Sequence, residues 1–123
     1  MSASLHGTAP FRLPDTPTPV DLVSKYFRTL ADPTRLRILE LVAERERSVG
    51  ELVTLTGDSQ PKISNHLGCL RWCGFVVGRR EQRRTYYSIA DPRVTELIDI
   101  ARNLLAENAD HVGCCSVLER EGA

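Results

Sequence analysis

This chain contains no Cys-x-x-Cys motif, no nucleophile with a paired base, no cofactor-binding loop and no apolar run of membrane-spanning length. These absences leave thiol enzymes, cofactor enzymes and membrane-spanning proteins without a sequence signal. The segment from Met1 to Pro17 lacks a basic head followed by an apolar run, so a cytoplasmic location with no membrane partner is expected. Net charge is missing too, because 16 Lys+Arg offset 16 Asp+Glu over 123 residues. A neutral total argues weakly against a nucleic-acid partner until the placement of the charge is considered.

The charge is uneven. Residues 59–93 hold seven basic and two acidic side chains, a local +5, whereas 94–123 carry −4 and 1–58 carry −1. A basic stripe on a neutral protein is the footprint of local phosphate contact. With 41% apolar and 26% charged residues, the composition is that of one globular domain.

The stretch from Ser59 to Gly74 organises the rest. Ser59 is a good N-cap, Pro61 is tolerated in a first turn, and Gly74 suits the position after a helix. Ile63, Leu67 and Leu70 recur at helical spacing toward a core, and Gln60, Lys62, Ser64 and Asn65 present hydrogen-bonding groups on the other side. That distribution predicts a DNA-reading helix. Gln60, Lys62, Ser64, Asn65 and His66 are the candidates for major-groove contact, with Gln60 and Asn65 able to bond adenine edges. On the same helix Cys69 and Cys73 stand four apart, about 5–6 Å at Cβ, close enough to share one soft metal ion.

Residues 1–18 are proline-rich, with little periodic apolar content, and read as a flexible arm. A first helix is predicted from Pro19, with Val20, Val23, Phe27 and Leu30 along one face. A second starts at Asp32-Pro33 and buries Leu36, Leu39 and Val42. Glu44 to Arg47 reads as a charged turn. Ser48, with Glu51 as its capping box, opens a third helix to Thr56, and Gly57-Asp58 turns into the reading helix. After Gly74 the period becomes two and a hairpin follows, its tip carrying Arg79, Arg80, Arg83 and Arg84. In a winged helix this tip lies along the DNA backbone, so these arginines are assigned phosphate contacts, which position without reading sequence. Trp72, Tyr86 and Tyr87 are assigned to core and wing packing. A last helix runs from Asp91-Pro92 to about Ala106, with Val94, Leu97, Ile98, Ala101, Leu104 and Leu105 covering the core or pairing with a second copy. His111 to Ala123 reads as a mobile tail. The expected organisation is an arm (1–18), a mainly α winged helix-turn-helix with a small β-hairpin wing that dimerises (19–108), and a cysteine-containing tail (109–123).

The segments Leu30 to Leu39, Ser64 to Leu67 with Leu70, and Arg79 to Tyr87 resemble the ArsR/SmtB family of winged-helix metalloregulatory repressors over about residues 20–106. The resemblance implies a homodimer that binds operator double-stranded DNA when metal-free and releases it on binding an ion. No cysteine occurs around Leu39 to Val42, where one branch of the family holds its ion. Arg93 and Leu104 stand where the zinc-type site on the last helix has histidines. The cadmium- and lead-sensing CmtR-type branch does match, with Cys69 and Cys73 as the helix pair and Cys114 as the tail ligand. Gln82 departs from the glycine usual in the family's wing turn, and Cys115 is an additional thiol beside Cys114.

A single helical cysteine is usually a small buried hydrophobe. Two pairs, one at helical spacing and one in a polar tail, favour ligation instead. About eight residues separate the last helix from Cys114, a reach of up to roughly 26–28 Å. The candidate ligands are therefore Cys69, Cys73, Cys114 and Cys115, and thiolates suit Cd²⁺ or Pb²⁺, with As(III) or Hg²⁺ as alternatives. His66 is assigned to DNA contact or to a satisfied surface imidazole over ligation. The competing reading keeps the fold and makes the thiols a redox switch that closes a tail-to-helix disulfide.

Overall fold

The computed structural model describes residues 18–113. Helix α1 spans Pro19–Leu30, α2 Pro33–Glu44, α3 Val49–Thr56, α4 Gln60–Trp72, α5 Pro92–Ala106 and α6 Ala109–Gly113; strands β1, β2 and β3 span Arg47–Ser48, Val76–Glu81 and Arg84–Ile89. The helix starts follow local side-chain chemistry. Asp32, Ser59 and Asp91 each accept a backbone N–H of the first turn, and each is followed within two residues by proline. Ser48 and Glu51 close a reciprocal capping box at α3, and Thr18 with Asp21 does the same at α1.

The end of α4 is fixed as firmly as its start. Gly74, at φ 84°, donates to the Arg71 carbonyl, and Phe75 donates to the Leu70 carbonyl at 2.9 Å. This paired 5→2 and 6→1 closure needs a left-handed residue at position 74, which glycine adopts without a Cβ clash. It turns the chain directly into β2 and buries Phe75 against Tyr26, with ring centroids 4.4 Å apart.

The wing is larger than the two strands expected. Arg47 and Ser48, read from the sequence as the end of a charged turn and a helix cap, pair with Tyr87 and Tyr86 and add a third antiparallel strand in the order β1-β3-β2. Arg47 is buried because its Nε donates to the Leu41 carbonyl and its Nη2 to Glu44. A charge pattern alone does not reveal such partners. The hairpin tip is a two-residue loop, since Glu81 pairs with Arg84. Gln82 has φ 55°, and positive φ at the first loop position alone is the type II′ pattern in which glycine is favoured.

The core is formed by Ile38, Leu39, Leu41 and Val42 of α2, Leu52 of α3, Ile63, Leu67 and Leu70 of α4, together with Leu30, Phe75, Val76 and Val94. The expected faces of α2 and α4 are therefore buried, with Leu36 packed at the margin. Trp72 is not part of this core. It is 57% exposed, because it follows the last buried turn of α4 and points away from Leu70. Residues 109–113, expected to belong to the tail, form the exposed helical turn α6. Cys114 and Cys115 lie outside the described residues.

Candidate nucleic-acid interface and thiol site

Helices α3 and α4, joined by Gly57 to Ser59, form a helix-turn-helix in which the buried stripe of α4 sets the direction of its opposite face. Gln60, Lys62, Ser64 and Asn65 are all exposed on that free side near the helix start. Lys62 is tethered to Asp58 at 3.0 Å, one helical turn back. His66 differs from the other four. It is half-buried, and its Nδ1 accepts from Arg35 Nε at 3.2 Å, so the ring binds α4 to α2.

Gln60 lines a cleft of about 720 Å³ together with Arg83 and Arg84 of the wing tip, Arg45 at the end of α2 and Arg47 of β1. Among the described residues, the guanidinium groups of Arg83 and Arg84 have no hydrogen-bonding or ion-pair partner. Arg80 donates to the Gln82 carbonyl across the tip at 3.3 Å. Arg79 is placed differently. It donates to both carboxylate oxygens of Glu46, at 3.0 and 2.7 Å, and to Glu81 at 2.7 Å. The hydrogen bonds from Arg79 hold the Glu46 carboxyl below its ordinary range.

The thiols sit on the inner flank of α4. Cys69 lies in the helix and Cys73 caps its end, and both are half-buried. Burial pushes the Cys69 thiol above its ordinary value, opposed by the nearby Arg35 charge. Cys73 Sγ lies 3.5 Å from the hydroxyl of Thr29, a buried residue of α1. The Thr29 carbonyl accepts from Arg35 Nη1 at 3.2 Å. The thiol pair is thus joined to α1 through Thr29 and surrounded by the contacts that orient the reading helix. Sequence periodicity marked neither Thr29 nor Arg35, because both act through partners distant in the chain.

Among the described residues, no group of three His, Cys, Asp or Glu side chains is positioned to hold a metal ion. Two sulfur donors fit a soft ion by their chemistry.

The wider surface gives a further clue. Val20, Val23 and Phe27 of α1 and Ile100, Leu104 and Leu105 of α5 are exposed large apolar side chains. Phe27, Leu36, Leu97, Ala101 and Leu105 line a groove of about 360 Å³ between α1, α2 and α5.

Comparison with known proteins places this arrangement. Residues 32–77 match the model of the bacterial regulatory protein, arsR family. A probable mercury resistance operon repressor of Streptomyces lividans is 45% identical over 102 residues, covering 83% of this chain and 82% of the relative. The chain belongs to the ArsR family of bacterial regulatory proteins. The HTH-type transcriptional regulator CmtR of Mycobacterium tuberculosis is 38% identical over 84 residues, covering 68% of the ArsR-family chain described here and 71% of its own. The solution structure of a homodimeric winged helix-turn-helix DNA-binding domain from Mycobacterium bovis, a possible ArsR-family transcriptional regulator, is 36% identical. It superimposes with a TM-score of 0.69 over 75% of this chain and 85% of that one. The fold is a winged helix-turn-helix, and these ArsR-family relatives are transcriptional regulators, not enzymes. No helix among the described residues is long and apolar enough to cross a membrane.

Proposed function

We propose that this ArsR-family chain is a homodimeric, metal-responsive transcriptional repressor that holds operator DNA when metal-free and leaves it when a thiophilic ion is captured by Cys69, Cys73 and Cys114, with Cys115 as an additional donor. The observation that carries the reading is the position of Cys69 and Cys73, half-buried on the reading helix itself. A bound soft ion would supply a strong, directional tie among thiolates. Cys69 and Cys73 would hold it from α4, and the tail thiols would close the site from residues 109–123.

The rest follows from what these residues already do. Cys73 would exchange its contact with Thr29 for a metal bond, altering how the end of α4 is seated on α1. The α1 and α5 surfaces carry unpartnered apolar side chains suited to a second copy of the chain. A change at α4 would therefore alter the angle between two reading heads that must meet successive grooves. Linkage requires the ion to prefer the DNA-free arrangement, and ligands on the reading element provide that difference.

The residues proposed for base-edge contact are Gln60, Lys62, Ser64 and Asn65, with His66 supporting the helix from its inner edge. Cd²⁺ and Pb²⁺ remain the favoured inducers on the ligand pattern, and the likeness to a probable mercury resistance operon repressor brings Hg²⁺ level with them. As(III) is the remaining alternative.

The test is operator binding by fluorescence anisotropy in reductant, titrated with Cd²⁺, Pb²⁺, Hg²⁺, As(III) and Zn²⁺, for the full chain, a Cys69→Ser variant and a chain ending at Gly113. Release by soft ions from the full chain alone supports the reading. Release by oxidant but by no ion would instead favour the thiol-redox repressor.

A further inference from the structure

Four arginines lie along the wing, and the structure separates one from the rest. Arg79 on β2 grips Glu46, the residue just before β1, through a two-pronged contact and also donates to Glu81. Its guanidinium carbon lies 5.2 Å from the centre of the Tyr86 ring, its cross-strand neighbour. Three N–H groups of one cation are thus directed at two carboxylates. A phosphate approaching there would have to displace a carboxylate, whereas at Arg83 and Arg84 it meets unpaired cations. Glu46 belongs to the connection between α2 and β1, so the contact ties the hairpin to the helical body.

We propose that Arg79 is a positioning residue that latches the wing to the helix-turn-helix body, and that the wing's phosphate contacts fall to Arg80, Arg83 and Arg84. The latch fixes the angle at which the tip meets the DNA backbone while α4 lies in the groove. Its bearing on DNA rests on the repressor reading above; its bearing on the wing does not.

Two measurements on the full-length protein test it. The first needs no DNA: hydrogen-deuterium exchange of residues 76–89 in Arg79→Ala and Glu46→Gln. Both variants should exchange faster there than wild type, with α2 and α4 unchanged; wild-type exchange of the wing in Arg79→Ala would overturn the latch. The second uses a labelled duplex selected by the protein from a random-sequence pool, with affinity measured across a salt series. Arg83→Ala should reduce the slope of log affinity against log salt by about 0.9, the mark of one lost phosphate contact. Arg79→Ala should bind about three- to tenfold more weakly with the slope unchanged, and adding Glu46→Gln should weaken binding no further, as coupled partners do. A slope loss in Arg79→Ala equal to that of Arg83→Ala would make Arg79 a phosphate ligand and overturn the assignment. Tighter binding by Glu46→Gln would do the same, since it would show that Glu46 only masks a DNA-contacting cation. Failure to select any duplex would overturn the repressor reading, while the exchange result would still decide the latch.

Discussion

The Thr29 hydroxyl lies 3.5 Å from Cys73 Sγ and also donates to the Lys25 carbonyl at 3.2 Å. The Thr29 hydroxyl therefore joins the α1 backbone to the thiol that caps α4.

Thr29→Val keeps the side-chain shape and removes the hydroxyl contact that a metal-bound Cys73 would have to give up. The expected result is soft-ion affinity raised about threefold in a chelator competition, with a stability loss of about 1 kcal/mol from the missing hydroxyl bonds. Unchanged or weaker ion affinity would show that the contact does not hold the thiol back.

At the hairpin tip, Gln82 occupies a backbone conformation with φ 55°. Left-handed backbone costs an L residue about 1–2 kcal/mol relative to glycine. Gln82→Gly should therefore raise the melting temperature by a few degrees while leaving DNA binding intact, since the change removes no charge. A lower melting temperature would mean that the side chain stabilises the turn more than the strain costs.

Phe27 is 52% exposed beside Leu105 in the groove between α1, α2 and α5. Phe27→Glu would place a charge in any subunit contact made by this face. Sedimentation velocity should show a dimer for wild type and a monomer for the variant, with the helical circular dichroism retained. A variant that remains dimeric would place the interface elsewhere.

Acid should loosen the helix starts. The Arg93 side chain and backbone N–H lower Asp91 to about 2, and the Thr18 and Ser48 backbone N–H groups lower Asp21 and Glu51. These carboxyls are depressed in the folded state, so their contribution is fully present above the unfolded range near 4 and is lost as pH falls through the folded values. The urea midpoint should drop between pH 4 and 2, and Asp91→Asn should reduce that drop. An equal drop in the variant would remove Asp91 from the acid response.

Local chemistry was legible because it acts between near neighbours. Asp32, Ser48 with Glu51, Ser59 and Asp91 mark four helix starts in the sequence, and all four serve as caps in the structure. The stripes on α2 and α4 were equally plain, since helical spacing determines which side chains share a face. The fold partners of Arg47, Arg79 and His66 were not legible for the opposite reason. Each has a charge or ring that suggests solvent or DNA, and each is bonded in the fold, to Leu41 and Glu44, to Glu46 and Glu81, and to Arg35. The tail assignment of Cys114 falls outside the described residues and rests on the proposed function.

By itself, the sequence determined the helix boundaries, the buried faces, the basic segment and the pairing of two thiols on a reading helix, because caps, periodicity and spacing are properties of a few adjacent residues. Only the tertiary structure decided that Thr29 of α1 meets Cys73, that β1 joins the wing, that Trp72 faces outward and that Arg79 is already occupied. Those outcomes depend on which side chains α1, α2 and the wing bring within about 3 Å of one another, and a partner tens of residues away leaves no local mark.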